Sequence, residues 1–254
     1  MRVLDGGEHP LARLQDWYRT PLGQAVARAE CAAVKRLLCN TFGYHLVQVG
    51  ATDVFDDALA ASRIRHRVTM SCGRPARPQG GGILGCETQF PLASVSIDAV
   101  FLPHSLDFTR DPLAVLRESE RVLIPEGRIL IVGFNPLSVW GLRRLLWSSR
   151  DQLPWCGRFR SLLQVEDWLR LLGFAIEVRE YDMFCLPTHG ALGVRCHPAD
   201  RLGRRFWSPL GGIYCVRAVK RVATLTPTRT ARSRRRAPLV GGAVEPTARG
   251  TGHA

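Results

Sequence analysis

Apolar residues recur at helical spacing through the opening segment of the chain, which we predict to be helical to about Thr41. Thr20 and Pro21 form a typical helix start, because a capping hydroxyl precedes a proline whose missing N–H costs nothing in the first turn. Gly43 ends the segment, and the apolar run at residues 44–50 then predicts a buried strand that leads into a turn. The helical stripe itself consists of Leu22, Val26, Ala29, Ala33 and Leu37.

The next part of the chain alternates between short apolar runs and breaks. Residues 53–64 fit a helix, and residues 67–71 fit a short strand. Residues 72–85 contain five glycines and two prolines, so we predict a loop there, within which a strand can begin near Ile83.

The clearest pattern lies in the middle of the chain. Residues 96–102 and 128–133 are apolar runs typical of buried strands, and residues 111–123 fit a helix that starts at an Asp-Pro pair. A turn at residues 125–127 separates this helix from the second strand. Strand, helix and strand in this order predict a βαβ unit with a right-handed parallel crossover.

Three further elements complete the pattern. Ser161 and Gln164 form a capping box, and the helix that they start ends at Gly173. Residues 175–181 and 212–220 fit the last two strands. Six or seven strands that alternate with helices predict an α/β fold with a doubly wound sheet.

These patterns divide the chain into three parts: an N-terminal helical segment at residues 1–43, an α/β domain at residues 44–224 and a basic tail at residues 225–254. The tail has six arginines against one acid and few long apolar residues. A segment of this composition cannot bury a core of its own, so we predict that it is disordered.

Positive charge is in excess over the whole chain, since 35 Lys and Arg face 22 Asp and Glu and give a net charge of +13. A basic surface raises the affinity for any polyanion. No recognition helix, zinc finger or aromatic RNA platform is visible in the sequence, so nucleic-acid binding has no support beyond this charge.

The chain is not typical of membrane or secreted proteins. Its longest stretch without a formal charge, residues 37–52, is shorter than the roughly 20 apolar residues that span a bilayer. Charged side chains at Glu8, Arg13 and Asp16 interrupt any signal-peptide core. We therefore expect a cytoplasmic protein that makes no membrane contact.

Eight cysteines are scattered along the chain without a C-x-x-C pair, which is typical of reduced and mostly buried thiols. Cys185, His189, Cys196 and His197 are close enough in sequence to bind zinc. Adjacent side chains point in different directions on most backbones, however, and the first pair is separated by an ordinary loop. We interpret this stretch as a loop and expect no metal.

Functional residues of an open parallel sheet follow the carboxyl ends of its strands, near the point where the strand order reverses. Gly50 allows a tight turn and the close approach of a ligand, although many strand-to-helix turns use glycine for the turn alone. The residues in strand-end positions that can carry chemistry are Gly50, Asp53, Ser71, Glu87, Pro103, His104 and Asn135.

Several of these residues have a structural alternative. Asp53 and Glu87 can accept hydrogen bonds from ligand hydroxyls or amines, but Asp53 can equally cap the following helix and Glu87 can lie on the surface. His104 can act as a general base near neutral pH, whereas a histidine at a strand end often only satisfies backbone groups. Three tryptophans fit core positions better than substrate contacts: Trp17, Trp140 and Trp147.

Four sequence motifs follow one another in the middle of the chain. They are Phe90-Pro-Leu-Ala-Ser-Val-Ser-Ile-Asp-Ala-Val, His104-Ser-Leu-Asp-Phe, Asp111-Pro-Leu-Ala-Val-Leu-Arg-Glu and Arg121-Val-Leu-Ile-Pro-Glu-Gly-Arg-Ile-Leu-Ile. With these motifs, residues 84–134 resemble the central block of the class I S-adenosylmethionine-dependent methyltransferases of the "type 11" group. Trp17-Tyr-Arg-Thr-Pro-Leu-Gly, Gly133-Phe-Asn-Pro and Ser138-Val-Trp-Gly-Leu resemble a bacterial branch of that group. The resemblance extends to about residue 224.

This resemblance implies a Rossmann-like sheet of seven strands, the last of them antiparallel, with S-adenosylmethionine lying over the ends of strands one to four. We predict that His104 and Asn135, which follow strands four and five, face the methyl acceptor and orient or deprotonate it. The acceptor itself is not identified by the sequence. The cofactor contacts that we predict are Gly50, Asp53, Ser71, Glu87, Leu102, Pro103 and His104.

Two cofactor motifs of the family are altered. The glycine-rich turn G-x-G-x-G reads Gly50-Ala51-Thr52-Asp53-Val54, and Ser71 stands where an acidic residue usually holds the ribose hydroxyls. Two alternatives therefore stay open beside a methyltransferase: a methyltransferase-fold protein without catalysis that binds a partner, and another nucleotide-cofactor enzyme such as a dehydrogenase. The first turn lacks the dinucleotide fingerprint, which disfavours the dehydrogenase.

Removal of residues 225–254 should leave the melting temperature nearly unchanged, because no core residue is lost. Thermal unfolding of the full chain and of a chain truncated after Thr224 tests this. A large fall in melting temperature would show that the tail packs on the domain.

Overall fold

The computed structural model describes residues 10–50, 53–71, 82–146, 153–184 and 208–221. Packing divides the chain into one unit at Met1–Val222 and a second at Ala223–Ala254. The second unit lies outside the described residues, and so does the predicted tail at residues 225–254.

Two helices begin the described chain, α1 at Pro10–Tyr18 and α2 at Pro21–Leu38. Thr20 joins them, because its hydroxyl accepts a hydrogen bond from the Gly23 N–H at 3.1 Å and donates to the Trp17 carbonyl at 2.7 Å. A proline follows in the first turn of α2, as the sequence predicts. The helical prediction for the opening segment is thus confirmed for both helices.

Seven strands form one sheet. Their bounds are β1 Phe42–Val49, β2 Arg63–Ser71, β3 Gly82–Leu84, β4 Ile97–Pro103, β5 Leu123–Phe134, β6 Phe174–Asp182 and β7 Ile213–Lys220. The strand order is β3-β2-β1-β4-β5-β7-β6, and β7 pairs antiparallel with both of its neighbours while the other pairs are parallel. The predicted fold class, a doubly wound seven-stranded sheet with an antiparallel last strand, is confirmed.

The described parts of the connections contain five further helices: α3 Asp56–Ala60, α4 Ser105–Phe108, α5 Pro112–Val122, α6 Val139–Leu146 and α7 Leu162–Leu171. The carboxylate of Asp111 caps α5 by accepting a hydrogen bond from the Ala114 N–H at 3.0 Å. The Ser161 hydroxyl caps α7 by accepting from the Gln164 N–H at 3.3 Å. Both caps agree with the sequence, since each satisfies an N–H that the first helical turn leaves unpaired.

Helices pack on both faces of the sheet. Leu46 belongs to the core beneath α1 and α2, whereas Val47 belongs to the core beneath α5 and α7, because neighbouring residues of a strand point to opposite faces. Trp17 and Trp140 lie in the first of these cores, which confirms their interpretation as core residues. Trp147 lies outside the described residues.

The structure corrects two element predictions. The helix expected at residues 53–64 is instead a 3-10 turn at Asp53–Phe55 followed by the five residues of α3, and β2 already begins at Arg63. Residues 125–127 do not separate α5 from the next strand but lie within β5, where Glu126 has a φ of 62° and the register with β4 shifts. In both places, pairing between strands that are distant in sequence determines where the strand begins, and the local spacing of apolar residues does not reveal this pairing.

Within the described ranges, no helix is both long and apolar enough to span a membrane. The same ranges contain no group of three or more His, Cys, Asp and Glu side chains that is placed to hold a metal ion. The stretch with Cys185, His189, Cys196 and His197 lies outside them, so its interpretation as a loop stays a prediction.

Gly23 sets how closely α1 and α2 approach each other. A Cβ at this position would lie 2.2 Å from the Trp17 carbonyl oxygen and 2.7 Å from the Tyr18 Cα, and both are backbone atoms. We expect Gly23→Ala to lower the free energy of unfolding by about 2 kcal/mol, because α1 has to move to relieve the clash.

Urea denaturation measures this difference. Arg28→Ala, at an exposed position of the same helix, is the matched control and should change the free energy of unfolding by less than about 0.5 kcal/mol. Equal stability of Gly23→Ala and the wild type would contradict the role of this glycine.

Candidate functional site

The carboxyl ends of the parallel strands lie along one edge of the sheet, as this topology requires. The Gly50 N–H donates to the Met70 carbonyl at 2.8 Å, so the end of β1 lies beside the end of β2. The Pro103 carbonyl oxygen, at the end of β4, lies 4.0 Å from the position that a Cβ on Gly50 would take. Three of the predicted cofactor contacts, Gly50, Ser71 and Pro103, are therefore neighbours.

Gly50 has a φ of +106°, a conformation that residues with side chains rarely adopt. The backbone of the turn therefore requires glycine. A Cβ here would meet the two methyl groups of Leu11 at 3.8 and 3.9 Å. The turn is thus covered by a side chain of α1.

Ser71 ends β2 and is only 2% exposed. Its hydroxyl has no hydrogen-bond partner among the described residues, although an unpaired buried hydroxyl is costly. Leu102 and Pro103, at the end of β4, are also buried. Ser71 therefore offers an unused hydrogen-bonding group at the edge where the sequence predicts the cofactor.

Asp53 and Glu87 lie at the same edge in different surroundings. Asp53 is exposed and accepts a hydrogen bond from the Gln15 side chain of α1 at 3.0 Å. It does not occupy the cap position of α3, which belongs to Phe55. Glu87, in the turn after β3, is 8% exposed, so the surface alternative for this residue is wrong.

The His104 imidazole is fully buried, and both of its nitrogens contact carboxylates. Nε2 lies 2.7 Å from Oε1 of Glu30 on α2, and Nδ1 lies 3.0 Å from Oδ2 of Asp107 on α4. Glu30 also accepts a hydrogen bond from the Tyr18 hydroxyl at 2.6 Å, and Asp107 accepts one from the Phe134 N–H at 3.0 Å. We call these five residues the buried histidine network.

Electrostatics within this network favour a charged imidazole. Burial alone lowers the pKa of His104, but the carboxylates of Glu30 and Asp107 outweigh it and raise that pKa to about 9. His104 is therefore protonated at neutral pH. Burial raises the pKa of the Tyr18 hydroxyl well above its usual range, so this group remains a neutral donor. Burial also raises the pKa of Asp107, against the opposing effect of His104.

Asn135 is 2% exposed and bonded to the backbone on all sides. Its Nδ2 donates to the carbonyls of Pro209 at 2.7 Å and Gly211 at 2.9 Å, and its Oδ1 accepts from the Leu137 N–H at 3.1 Å. Asn135 therefore holds the turn after β5 against the segment that leads into β7.

Neither His104 nor Asn135 presents an open polar atom at the surface. An acceptor would have to displace a carboxylate from His104 or a backbone carbonyl from Asn135. Because a general base must reach the proton that it removes, this geometry favours positioning roles for both residues. A catalytic role for either residue stays a prediction.

This chain is similar to known proteins that show its family. Residues 37–131 match the family described as "Methyltransferase domain". The chain is also 31% identical over 215 residues to the uncharacterized protein YafS of Escherichia coli (strain K12), which covers 83% of this chain and 82% of that protein. This chain belongs to the methyltransferase-domain family.

Solved structures support the same fold. A SAM-dependent methyltransferase from Thermotoga maritima has a TM-score of 0.61 at 19% identity, covering 83% of this chain and 100% of that chain. An S-adenosylmethionine-dependent methyltransferase from Mesorhizobium loti has a TM-score of 0.52 at 19% identity, covering 74% of this chain and 96% of that chain. The resemblance stated from the sequence is confirmed, and at these identities the structures share the fold of this methyltransferase domain.

Helix α1 covers the strand-end edge of the methyltransferase domain. Leu11 packs over the turn at Gly50, and Gln15 donates a hydrogen bond to Asp53. Tyr18 joins the same helix to the buried histidine network. A ligand that reaches Gly50 must therefore displace α1 or enter beside it.

The sequence did not reveal the two partners of His104, Glu30 and Asp107, or Tyr18, which donates to Glu30. The sequence did contain a pattern that indicates a buried carboxylate at Glu30, because this residue lies four positions after Val26 on the buried face of α2. A carboxylate on an apolar helix face is rarely buried without a partner. Nothing local showed that the end of β4 brings His104 beneath this helix.

The pKa of His104 gives a pH dependence of known sign. Because this pKa is about 9 in the folded protein and about 6.5 in an unfolded chain, its stabilising contribution is fully present below about pH 6.5 and is lost as pH rises through about 9. We expect the free energy of unfolding to fall by on the order of 3 kcal/mol over this range, and the melting temperature by roughly 10 °C.

Thermal unfolding from about pH 6 to about pH 10 tests this expectation. His104→Gln should remove most of the fall, whereas the exposed His45→Gln on β1 should retain it. A melting temperature that does not depend on pH in the wild type, or an equal slope in His104→Gln, would contradict a charged His104.

Proposed function

We propose that this methyltransferase domain binds S-adenosylmethionine at the carboxyl ends of β1, β2 and β4 and transfers its methyl group to an acceptor still to be identified. The observation that carries the proposal is the Ser71 hydroxyl, which is buried, has no partner among the described residues and ends β2. The family resemblance assigns this position to the group that holds the ribose. A ribose hydroxyl would satisfy the Ser71 hydrogen bond.

Other residues at this edge fit the same ligand. Gly50 carries no side chain, so a ligand can approach its backbone closely once Leu11 moves aside. The buried residues Leu102 and Pro103 end β4 beside this turn, with the Pro103 carbonyl oxygen nearest to Gly50, and would form one wall of the cofactor site.

The carboxylates of Asp53 and Glu87 would accept hydrogen bonds from hydroxyl and amine groups. Asp53 is exposed, whereas Glu87 is buried, so the two would face different parts of a ligand. Together with Ser71, they offer acceptors for a cofactor that is rich in such donors.

The bound sulfonium supplies an activated methyl group, so the protein has to align the acceptor and exclude water more than to donate a catalytic group. The buried histidine network suits this task, because it fixes the end of β4 next to the proposed cofactor edge. Helix α1 covers this edge and would shield it from water. His104 thus acts as a positioning residue in this proposal.

The second candidate is a methyltransferase-fold protein that binds a partner without catalysis. The position of Leu11 over the Gly50 turn favours it, because the side chain lies where the backbone would otherwise meet a ligand. The sequence of the turn also favours this candidate, because Gly50 is the only glycine in the five positions 50–54. Under this alternative the cofactor does not bind.

Calorimetric titration with S-adenosylhomocysteine distinguishes the two candidates. We expect the wild type to bind and Ser71→Ala to bind roughly tenfold more weakly, the loss of about one buried hydrogen bond. Ser62→Ala is the matched control, because its hydroxyl is likewise buried and unpaired among the described residues but precedes β2 at the opposite edge of the sheet. Ser62→Ala should bind as the wild type does.

Gly50→Val provides a stronger perturbation of the same edge. It should abolish binding, because a branched side chain both strains the turn and fills the approach to the backbone. Circular dichroism must first show that this variant folds. Absence of binding by the wild type would refute the proposal that the protein binds S-adenosylmethionine and would favour the second candidate. Equal losses of affinity in Ser71→Ala and Ser62→Ala would refute the role of Ser71.

A further inference from the structure

The amino halves of β1 and β2 carry exposed side chains that the proposed methyl-transfer site does not use. We call them the β1–β2 basic surface, formed by Phe42 and Tyr44 of β1 and by Arg63, Arg65 and Arg67 of β2. The three arginines are exposed, and the two rings are 59% and 69% exposed. Among the large apolar side chains that are exposed in the described part of the chain, these two are the only aromatic ones.

This surface is open because the helix that follows β1 is short. Helix α3 has five residues, and Leu59 in it packs in the same core as Leu46 of β1. Leu46 is 1% exposed, whereas Tyr44, two residues earlier on the same face, is 69% exposed. The cover over this face therefore ends between these two positions.

Strand geometry arranges the surface in two rows. Alternate residues of β2 point to the same face about 6.6 Å apart, so its three arginines form one row. Phe42 pairs with Arg63 and Leu46 with Arg67, which places Tyr44 beside Arg65. A row of aromatic rings thus runs alongside a row of cations on the neighbouring strand.

Arg63 and Arg65 have no carboxylate partner among the described residues, whereas Arg67 lies beside the carboxylates of α3. No ion pair links any of the three arginines to a described carboxylate. The Arg63 guanidinium instead lies over the Phe42 ring, 5.0 Å from its centroid. Arg67 lines a cavity of about 340 Å³ with Asp56 and Asp57 of α3, so the basic row ends where α3 begins to cover the sheet.

We propose that the β1–β2 basic surface binds single-stranded nucleic acid. Unpaired bases stack on the exposed rings of Phe42 and Tyr44, and the guanidinium groups of the row contact successive phosphates. Stacking accepts any base, and the arginines contact only the backbone. The surface therefore binds with little sequence preference.

A single strand fits this surface better than other polyanions do. The bases of a duplex are stacked inside it and cannot reach rings on an open sheet face. An acidic peptide would pair with the arginines but leave both rings without a partner. The net charge of +13 favours the approach of any polyanion and does not by itself choose among them.

Fluorescence anisotropy with labelled single-stranded RNA and DNA of about 12 nucleotides and mixed sequence tests the proposal on the full chain, without any methyl donor. Tyr44→Ala should weaken binding by roughly tenfold, the effect of one stacked base, whereas Tyr44→Phe should retain the affinity. The double variant Arg63→Ala/Arg65→Ala should weaken it further and lower the slope of log K against log salt by about 1.4, because two phosphate contacts are lost.

The double variant Arg110→Ala/Arg117→Ala is the matched control, since it removes the same charge from exposed positions in and before α5. When Tyr44→Ala is added to this control variant, it should still weaken nucleic-acid binding by roughly tenfold. Equal binding by the two arginine double variants would show that net charge or the basic tail carries the affinity, and would overturn the proposal. Equal affinity of Tyr44→Ala and the wild type, or tighter binding of a duplex or a poly-glutamate peptide, would also overturn it.

Discussion

A charged imidazole buried between two carboxylates is the constraint on which the strand-end edge of this protein depends. Buried charges are tolerated only when they are paired, so His104 at the end of β4 has to meet Glu30 of α2 and Asp107 of α4. The same network engages Tyr18 of α1 and the Phe134 N–H at the end of β5. Three helices and the ends of two central strands are thus fixed to one another at the edge where methyl transfer is proposed.

The network also separates two tasks at this edge. Its polar groups mainly satisfy one another, so they stabilise the architecture and leave ligand binding to the residues beside them. His104 adopts a φ of 54°, an unfavourable conformation for a residue with a side chain, and its two carboxylate contacts hold it there. In the proposed cofactor site, ligand recognition would depend on Ser71, which has one hydroxyl where the family has a carboxylate. In that site, a larger share of the affinity would come from backbone groups and from Asp53 and Glu87.

Sequence predicted those features that depend on local chemistry, such as the cap at Thr20 and the turn at Gly50, together with the order of strands and helices. The predicted start of β2 was wrong, because pairing with β1 extends this strand back to Arg63. The candidate site likewise has a part that the sequence predicted and a part that it did not. The strand-end rule located the predicted cofactor edge, but not Glu30, which lies 74 residues from its partner His104. The β1–β2 basic surface was invisible for the same reason, since its aromatic rings and arginines come together only through strand pairing.

The two outer strands of the sheet differ in a way that affects association. Edge strands present unpaired N–H and C=O groups to which another chain can add a strand. β3, at one edge, has three residues and pairs only with Thr69–Ser71 of β2, so the first part of β2, with its three arginines, also lies at this edge. β6, at the other edge, is longer but carries Glu177, Arg179 and Glu180 along its length. Charged side chains therefore line both edges of the sheet, arginines at one edge and mixed charges at the other. Such charges oppose strand addition and protect the open sheet against edge-to-edge aggregation at both ends.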